Sequence, residues 1–264
     1  KAAESGGNRM TNQFKEELEN GCKKLNIILS DRQLFQFFRY YELLLETNKV
    51  MNLTAITEEK EVIEKHFVDS LLLVRVLDQI NENSGKKEPI KERFSKGTCI
   101  DVGTGAGFPG IPLKILFPEL SMVLLDSLNK RVGFLNEVIS EIGLSGIRAV
   151  HGRAEDLGKN REYREQFDFC VSRAVANLST LSEYCIPFVK TGGFFIPYKS
   201  GKSQEEISEA EGAVLHLGGK MEGTVFETLP NSEAERAFVL IKKVSATPKK
   251  YPRKAGTPSR DPIS

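Results

Sequence analysis

Nothing in this 264-residue chain is as long and apolar as the roughly 18 residues that a membrane-crossing helix needs. No secretory apolar region stands near its start. It holds only four cysteines, Cys22, Cys99, Cys170 and Cys185, and none sits at a spacing that reads as a disulfide framework or a metal site. They are expected to be reduced and buried, as in a reducing compartment. The three histidines, His66, His151 and His216, are scattered, so no metal is expected. Formal net charge is only +1, which does not by itself announce a nucleic-acid binder. No internal repeat is apparent.

What is present is sharper. Cys99, Ile100 and Val102 form a short apolar run that reads as a buried strand and breaks into Gly103-Thr-Gly105-Ala-Gly107-Phe108-Pro-Gly. A strand ending in alternate glycines lets bare backbone approach a ligand and opens onto a helix N-terminus. The dinucleotide fingerprint G-x-G-x-x-G would want glycine where Phe108 stands. The alternating form resembles motif I of methyltransferases that use S-adenosylmethionine. A second buried run, Ser121–Leu125, ends at Asp126, about twenty residues after the glycines, where a doubly wound sheet sets a carboxylate against ribose hydroxyls. Asp126 could also cap the helix that follows, but its spacing from the glycines favours the cofactor.

Residues 10–80 read as helices. Ser30 and Gln33 make a capping box ahead of Leu34, Phe37, Phe38, Tyr41, Leu44 and Leu45. A loop is expected over 48–57, a helix over 58–77, and a polar linker over 81–97. Beyond that, strands at 98–102, 121–126, 147–151, 167–172 and 193–198 alternate with helices such as 130–142, 178–189 and 204–217. Two final strands, 220–228 and 236–244, flank Pro230-Asn-Ser232. The pattern is α/β: a Rossmann-like, mostly parallel seven-stranded sheet with an antiparallel edge hairpin and an N-terminal helical extension. The domain reading has residues 1–9 as a non-native appendage before Met10, then 10–96 as helical extension and linker. The sheet domain spans 97–246, and 247–264 is a basic, Pro-rich tail. Its prolines predict an extended segment. The tail is either an ordinary solvated end or a strap for phosphates through Lys249, Lys250, Arg253 and Lys254.

In such a sheet the ligand lies beyond the carboxyl ends of the strands. The candidates are therefore Gly103, Gly105, Gly107 and Phe108 after the first strand, Asp126 after the second, and Ala154 and Glu155 after the third. Arg173 follows the fourth, where its guanidinium could fork a phosphate or a carboxylate; Lys199, after the fifth, is a weaker candidate of the same kind. An Asn/Asp-Pro-Pro-aromatic element, which amine methylation uses after strand four, is missing. So is a cysteine set for attack on a pyrimidine: Cys170 lies inside its strand. An acceptor needing neither base nor nucleophile, such as guanine N7, makes these absences unsurprising.

Several segments together resemble the bacterial 16S ribosomal RNA guanine-N7 methyltransferase family, also called glucose-inhibited division protein B. They are Asn52-Leu-Thr-Ala-Ile56, His66-Phe-Val-Asp-Ser-Leu71, Asp101–Leu113, Leu125–Arg131, Gly152-Arg-Ala-Glu155, Ser172-Arg-Ala174 and Tyr251–Pro258. The resemblance runs from about residue 12 onward. It implies a cytoplasmic enzyme, expected to be monomeric, that takes its methyl from S-adenosyl-L-methionine and acts on 16S ribosomal RNA or a small-subunit particle. It carries cofactor contacts onto Gly103, Phe108, Ala154, Glu155 and Arg173. His66, Asp69 and Ser70 also match it, either in the chemistry or as a tie between the helices and the cleft. Two other readings stay open from the residues: methylation of a small molecule or protein, and a non-catalytic nucleotide-binding factor in ribosome assembly.

Overall fold

The computed structural model describes residues 9–84 and 89–264; the appendage read into residues 1–9 therefore lies, Arg9 apart, outside the described residues. α1 (Asn12–Lys23) is capped by Thr11, whose hydroxyl accepts from Phe14 N at 3.1 Å. α2 (Asp31–Met51) opens with the expected box: Ser30 Oγ accepts from Gln33 N, and Gln33 Oε1 from Ser30 N. The loop expected from 48 begins only after Met51. Asn48 stays helical and uses its amide to hold Thr54 through bonds of 3.0 and 2.9 Å, so the loop is pinned back on the last turn.

The helix expected over 58–77 is four pieces: α3 (Glu59–Val62), a π-helical stretch over Ile63–Val68, α4 (Asp69–Leu71) and α5 (Leu73–Ser84). A π stretch inserts an extra residue per turn and often marks a functional site. The linker expected over 81–97 is corrected where it is described. α5 reaches Ser84, and α6 (Ile90–Lys96) follows, because Phe94 is a core residue packed edge-on against Phe169 and Phe117 at 5.0 and 5.6 Å.

Then come β1 (Thr98–Val102), α7 (Gly110–Leu116), β2 (Ser121–Asp126), α8 (Asn129–Glu141), β3 (Ile147–His151), α9 (Ala154–Leu157) and β4 (Phe167–Ser172). After them run α10 (Leu178–Cys185), β5 (Val189–Ser200), α11 (Gln204–Glu209), α12 (Glu211–His216), β6 (Gly219–Thr228), β7 (Glu235–Lys243) and α13 (Thr257–Arg260). The helix expected over 178–189 tightens into a 3₁₀ turn at Ile186–Phe188, where Pro187 supplies no N–H. The seven strands lie in the order β3-β2-β1-β4-β5-β7-β6, parallel except for β7, which pairs antiparallel with both neighbours. Chain order reverses between β1 and β4, and the crevice beyond their carboxyl ends is where such sheets bind ligands.

Two cores sandwich the sheet. One joins Phe14, Phe37, Tyr40 and Phe67 of the N-terminal helices to Leu124 and Phe169 of the strands. The other, under α10 and α12, takes in Tyr251 and Ile263. The tail is thus packed rather than loose. It is not extended throughout either: Pro258 sits in the first turn of α13, where its missing N–H breaks no helical bond. No helix among the described residues is long and apolar enough to cross a membrane.

Replacing Phe94 with alanine is expected to cost about 3–5 kcal/mol, the penalty of emptying a filled aromatic site. Denaturant unfolding measures it; an unshifted midpoint would remove α6 from the core.

Candidate active site

The glycine turn is held from both sides. Asp101, fully buried on β1, accepts through Oδ2 from Thr104 Oγ1 at 2.7 Å and from Gly110 N at 2.9 Å, while Oδ1 is buried without a partner. Burial pushes its carboxyl up to about 7. The three glycines do different work. Gly103 (φ 70°) faces open space, a Cβ there meeting only Ala174 at 3.8 Å. Gly105 donates its N–H to Asp126 Oδ2 at 2.9 Å. Gly107 (φ 103°) lies against the Tyr40 hydroxyl and Ile111, and that hydroxyl donates to Ala106 O. Its lack of a side chain serves the close approach of α2.

A first cleft of about 520 Å³ opens past β1, β2 and β4, within the roughly 300–1,000 Å³ usual for small-molecule sites. Gly103, Asp126, Ala154, Glu155 and Arg173 line it. Gly105, Gly107 and Phe108 do not: Phe108 is 5% exposed and stacks on Tyr40 and His66 instead. Asp126 holds backbone beside the strand end and does not cap α8, whose N-cap is Leu128. Each carboxylate oxygen accepts one backbone N–H, from Gly105 and from Leu128, at 2.9 Å, and the group still faces the cleft with acceptor capacity left. Open glycine backbone beside such a carboxylate fits a nucleoside that presents hydroxyl donors.

Arg173 stands at the rim. Its Nη1 donates to Lys65 O and Asp69 Oδ2 at 3.0 and 2.9 Å, and its Nη2 reaches His66 Nδ1 at 3.0 Å. A guanidinium only donates, so His66 Nδ1 is the acceptor and Nε2–H donates to Thr54 Oγ1 at 2.8 Å. Burial, then the Arg173 charge, pushes this imidazole down to about 3. Beneath it the ring of Phe108 lies 4.5 Å from His66 and 5.2 Å from the guanidinium carbon. Asp69 accepts from Arg236 Nε through its other oxygen at 2.8 Å. Ser70 donates to His66 O, and Tyr198 donates to Ser70 O. His66, Asp69 and Ser70 therefore tie the helices to β4, β5 and β7.

A second cleft of about 550 Å³ lies on the other side of Arg173, with Lys65, His66, Tyr198 and Arg236 in its lining. The two clefts share Arg173, Ala174 and Val175, and the Val175 side chain stands fully exposed between them. Lys199 also borders the second cleft, but it is buried, ion-paired with Glu206 at 2.6 Å and donating to Ala176 O at 2.9 Å, so it pins the turn after β4. Arg253 is likewise engaged, on the buried Glu183. The sequence reading missed Arg236 and Tyr198, which no local pattern announces.

A family profile described as rRNA small subunit methyltransferase G, GidB, matches residues 33–233. The chain belongs to this family. Proteins called ribosomal RNA small subunit methyltransferase G resemble it over nearly their whole length. The one from Lachnoclostridium phytofermentans is 52% identical over 92% of this chain and 95% of its own. That from Alkaliphilus metalliredigens is 50% identical over 93% and 97%, and that from Leuconostoc mesenteroides 47% over 97% and 100%. The family is one of S-adenosylmethionine-dependent enzymes on the Rossmann-like fold expected from the sequence, and its substrate is ribosomal RNA.

His66 titrates near 6.5 when unfolded and near 3 when folded, so the unfolded chain takes up a proton the native ring refuses. Stability is full above that upper value and falls as pH drops through the window. Asp101 runs oppositely, from 3.8 unfolded to about 7 folded, favouring the native state at low pH and losing that advantage as pH rises. In His66→Asn the first slope vanishes. Thermal midpoints of variant and wild type should converge as pH falls from about 6.5 to about 4; a constant gap would mean that His66 titrates alike in both states.

Proposed function

We propose that the enzyme transfers a methyl group from S-adenosylmethionine, held in the first cleft, to N7 of a guanine in 16S ribosomal RNA entering the second cleft, giving 7-methylguanosine. The observation that carries this reading is the shared wall: two clefts of suitable size meet at Arg173–Val175, so a donor in one and a planar acceptor in the other can face each other. The cofactor, when bound, supplies an electrophilic methyl carbon and a neutral thioether leaving group.

The chain's own task is then positioning and electrostatics. Gly103 backbone and the Asp126 carboxylate suit the nucleoside part, and Ala154 and Glu155 border its far side. Gly105 and Gly107 keep the turn in shape, and Phe108 supports Arg173 from beneath. Arg173, held by Asp69 and His66, presents its remaining charge to both clefts. Guanine N7 has a free lone pair and loses no proton. That matches His66, whose two nitrogens are both engaged, leaving no lone pair to act as base.

Lys249, Lys250 and Lys254 are exposed and suit an RNA backbone, whereas Lys199 and Arg253 have partners inside the fold. The enzyme works as a monomer in the cytoplasm on the RNA or on a small-subunit particle.

Labelled S-adenosylmethionine and ribosomal RNA from a strain lacking the activity, followed by nucleoside mass spectrometry, test the reaction. Label in 7-methylguanosine is expected; label in another nucleoside overturns the N7 assignment. Arg173→Lys, which loses the fork, should lower kcat/KM by about a hundredfold. Changing Lys249, Lys250 and Lys254 to glutamine should weaken RNA binding and reduce the salt slope by about 0.7–0.9 for each phosphate no longer neutralised. Filter binding at several salt concentrations reads this, and an unchanged slope sinks the strap.

A further inference from the structure

The C-terminal segment packs behind two of the helices that line the first cleft. Gly256 N donates to Glu155 Oε1 at 3.1 Å, and Glu155 borders that cleft from α9. Pro252 packs against the end of the same short helix, its ring 3.0 Å from where a Cβ on Gly158 would stand. On the other side Arg253 grips Glu183 of α10 through backbone N, Nε and Nη2 at 2.7, 3.0 and 2.8 Å. Glu183 is wholly buried, and the next residue, Tyr184, lines the cleft. Thr180 Oγ1 of α10 donates to Pro258 O at 2.9 Å. α9 and α10 carry two walls of the cleft, and the segment from Pro252 to Pro258 joins them.

We propose that docking of this segment is coupled to cofactor binding, with Arg253 as a positioning residue acting through Glu183, α10 and Tyr184. The proposal rests on the reading of the first cleft as the S-adenosylmethionine site. It divides the basic tail into two faces: Lys249, Lys250 and Lys254 look outward, while Arg253, Gly256 and Pro258 look inward. Neutralising all four tail cations together would therefore disturb cofactor affinity as well as RNA binding, contrary to a simple strap. Coupling is reciprocal, so whatever the docked tail contributes to cofactor affinity, the cofactor returns as protection of the tail.

The bonds after the exposed Lys250 and Lys254 provide the readout, since the first runs into the buried Tyr251 and opens to a protease only when the segment undocks. The full chain is treated with trypsin, with and without saturating S-adenosylmethionine or S-adenosylhomocysteine, and fragments are timed by mass spectrometry. Calorimetry measures cofactor binding on the same sample. Cleavage in the tail is expected to slow by about tenfold, while cleavage after Lys15 in α1, remote from the cleft, keeps its rate. The paired variant Glu183→Gln/Arg253→Met removes the guanidinium's part of the grip without stranding a buried charge. It should raise the cofactor's Kd by about tenfold or more. Equal tail cleavage with and without bound cofactor overturns the coupling, as does a wild-type Kd in the paired variant. Should that variant fail to fold, the protection experiment on the native chain decides. Absence of any calorimetric binding to the native chain instead overturns the reading of the cleft itself.

Discussion

The carboxylate of Asp69, 1% exposed, lies between two guanidinium groups, Arg173 at the end of β4 and Arg236 on β7. A buried charge is costly unless paired on every side, and removing either arginine would leave it short of a partner. The pairing is therefore a strong geometric constraint. It fixes where the π-helical stretch and α4 sit against the sheet, and it fixes the direction in which Arg173 points. The division of the crevice into two clefts follows from that, because Arg173 is their common wall.

The rest of the site is arranged around this clamp by packing. Phe108 fills the space under His66 and Arg173. The same turn is held from α2 by Tyr40 on Ala106 O and from β2 by Asp126 on Gly105 N. The glycine turn is thus shaped by the helical extension as much as by the sheet. The extension's helices share a core with β2 and β4, so the crevice and the N-terminal helices stand or fall together. Arg164 does a similar task at the other end, binding the carbonyls of Thr247 and Tyr251 at 2.8 and 2.7 Å and laying the tail along α10.

Much of this was legible along the chain. Short apolar runs bounded by turns marked the strands, the capping box marked the start of α2, and the glycine turn and Asp126, each at a strand end, marked the side on which the crevice opens. The break of the 58–77 helix was not legible, because a π stretch keeps nearly the same apolar spacing as an α-helix over six residues. Nor was α6: its seven residues are mostly polar, and only Phe94, by reaching Phe169, makes it part of the core. The candidate residues divided in the same way. Gly103 and Asp126 reached the cleft because strand ends dictate where they go, while Phe108, Lys199 and Arg253 found partners inside the protein.

The sequence by itself determined the fold class, the family and the strand ends beside which the first cleft opens, because those depend on local periodicity and on residues close in the chain. Only the tertiary structure decided what each charged side chain does. Asp69 meets Arg173 and Arg236 across 104 and 167 residues, and Arg253 meets Glu183 across 70. Such pairings have no period and no local cost. They are selected by which charges the packed sheet and helices bring within hydrogen-bonding reach once water has been excluded.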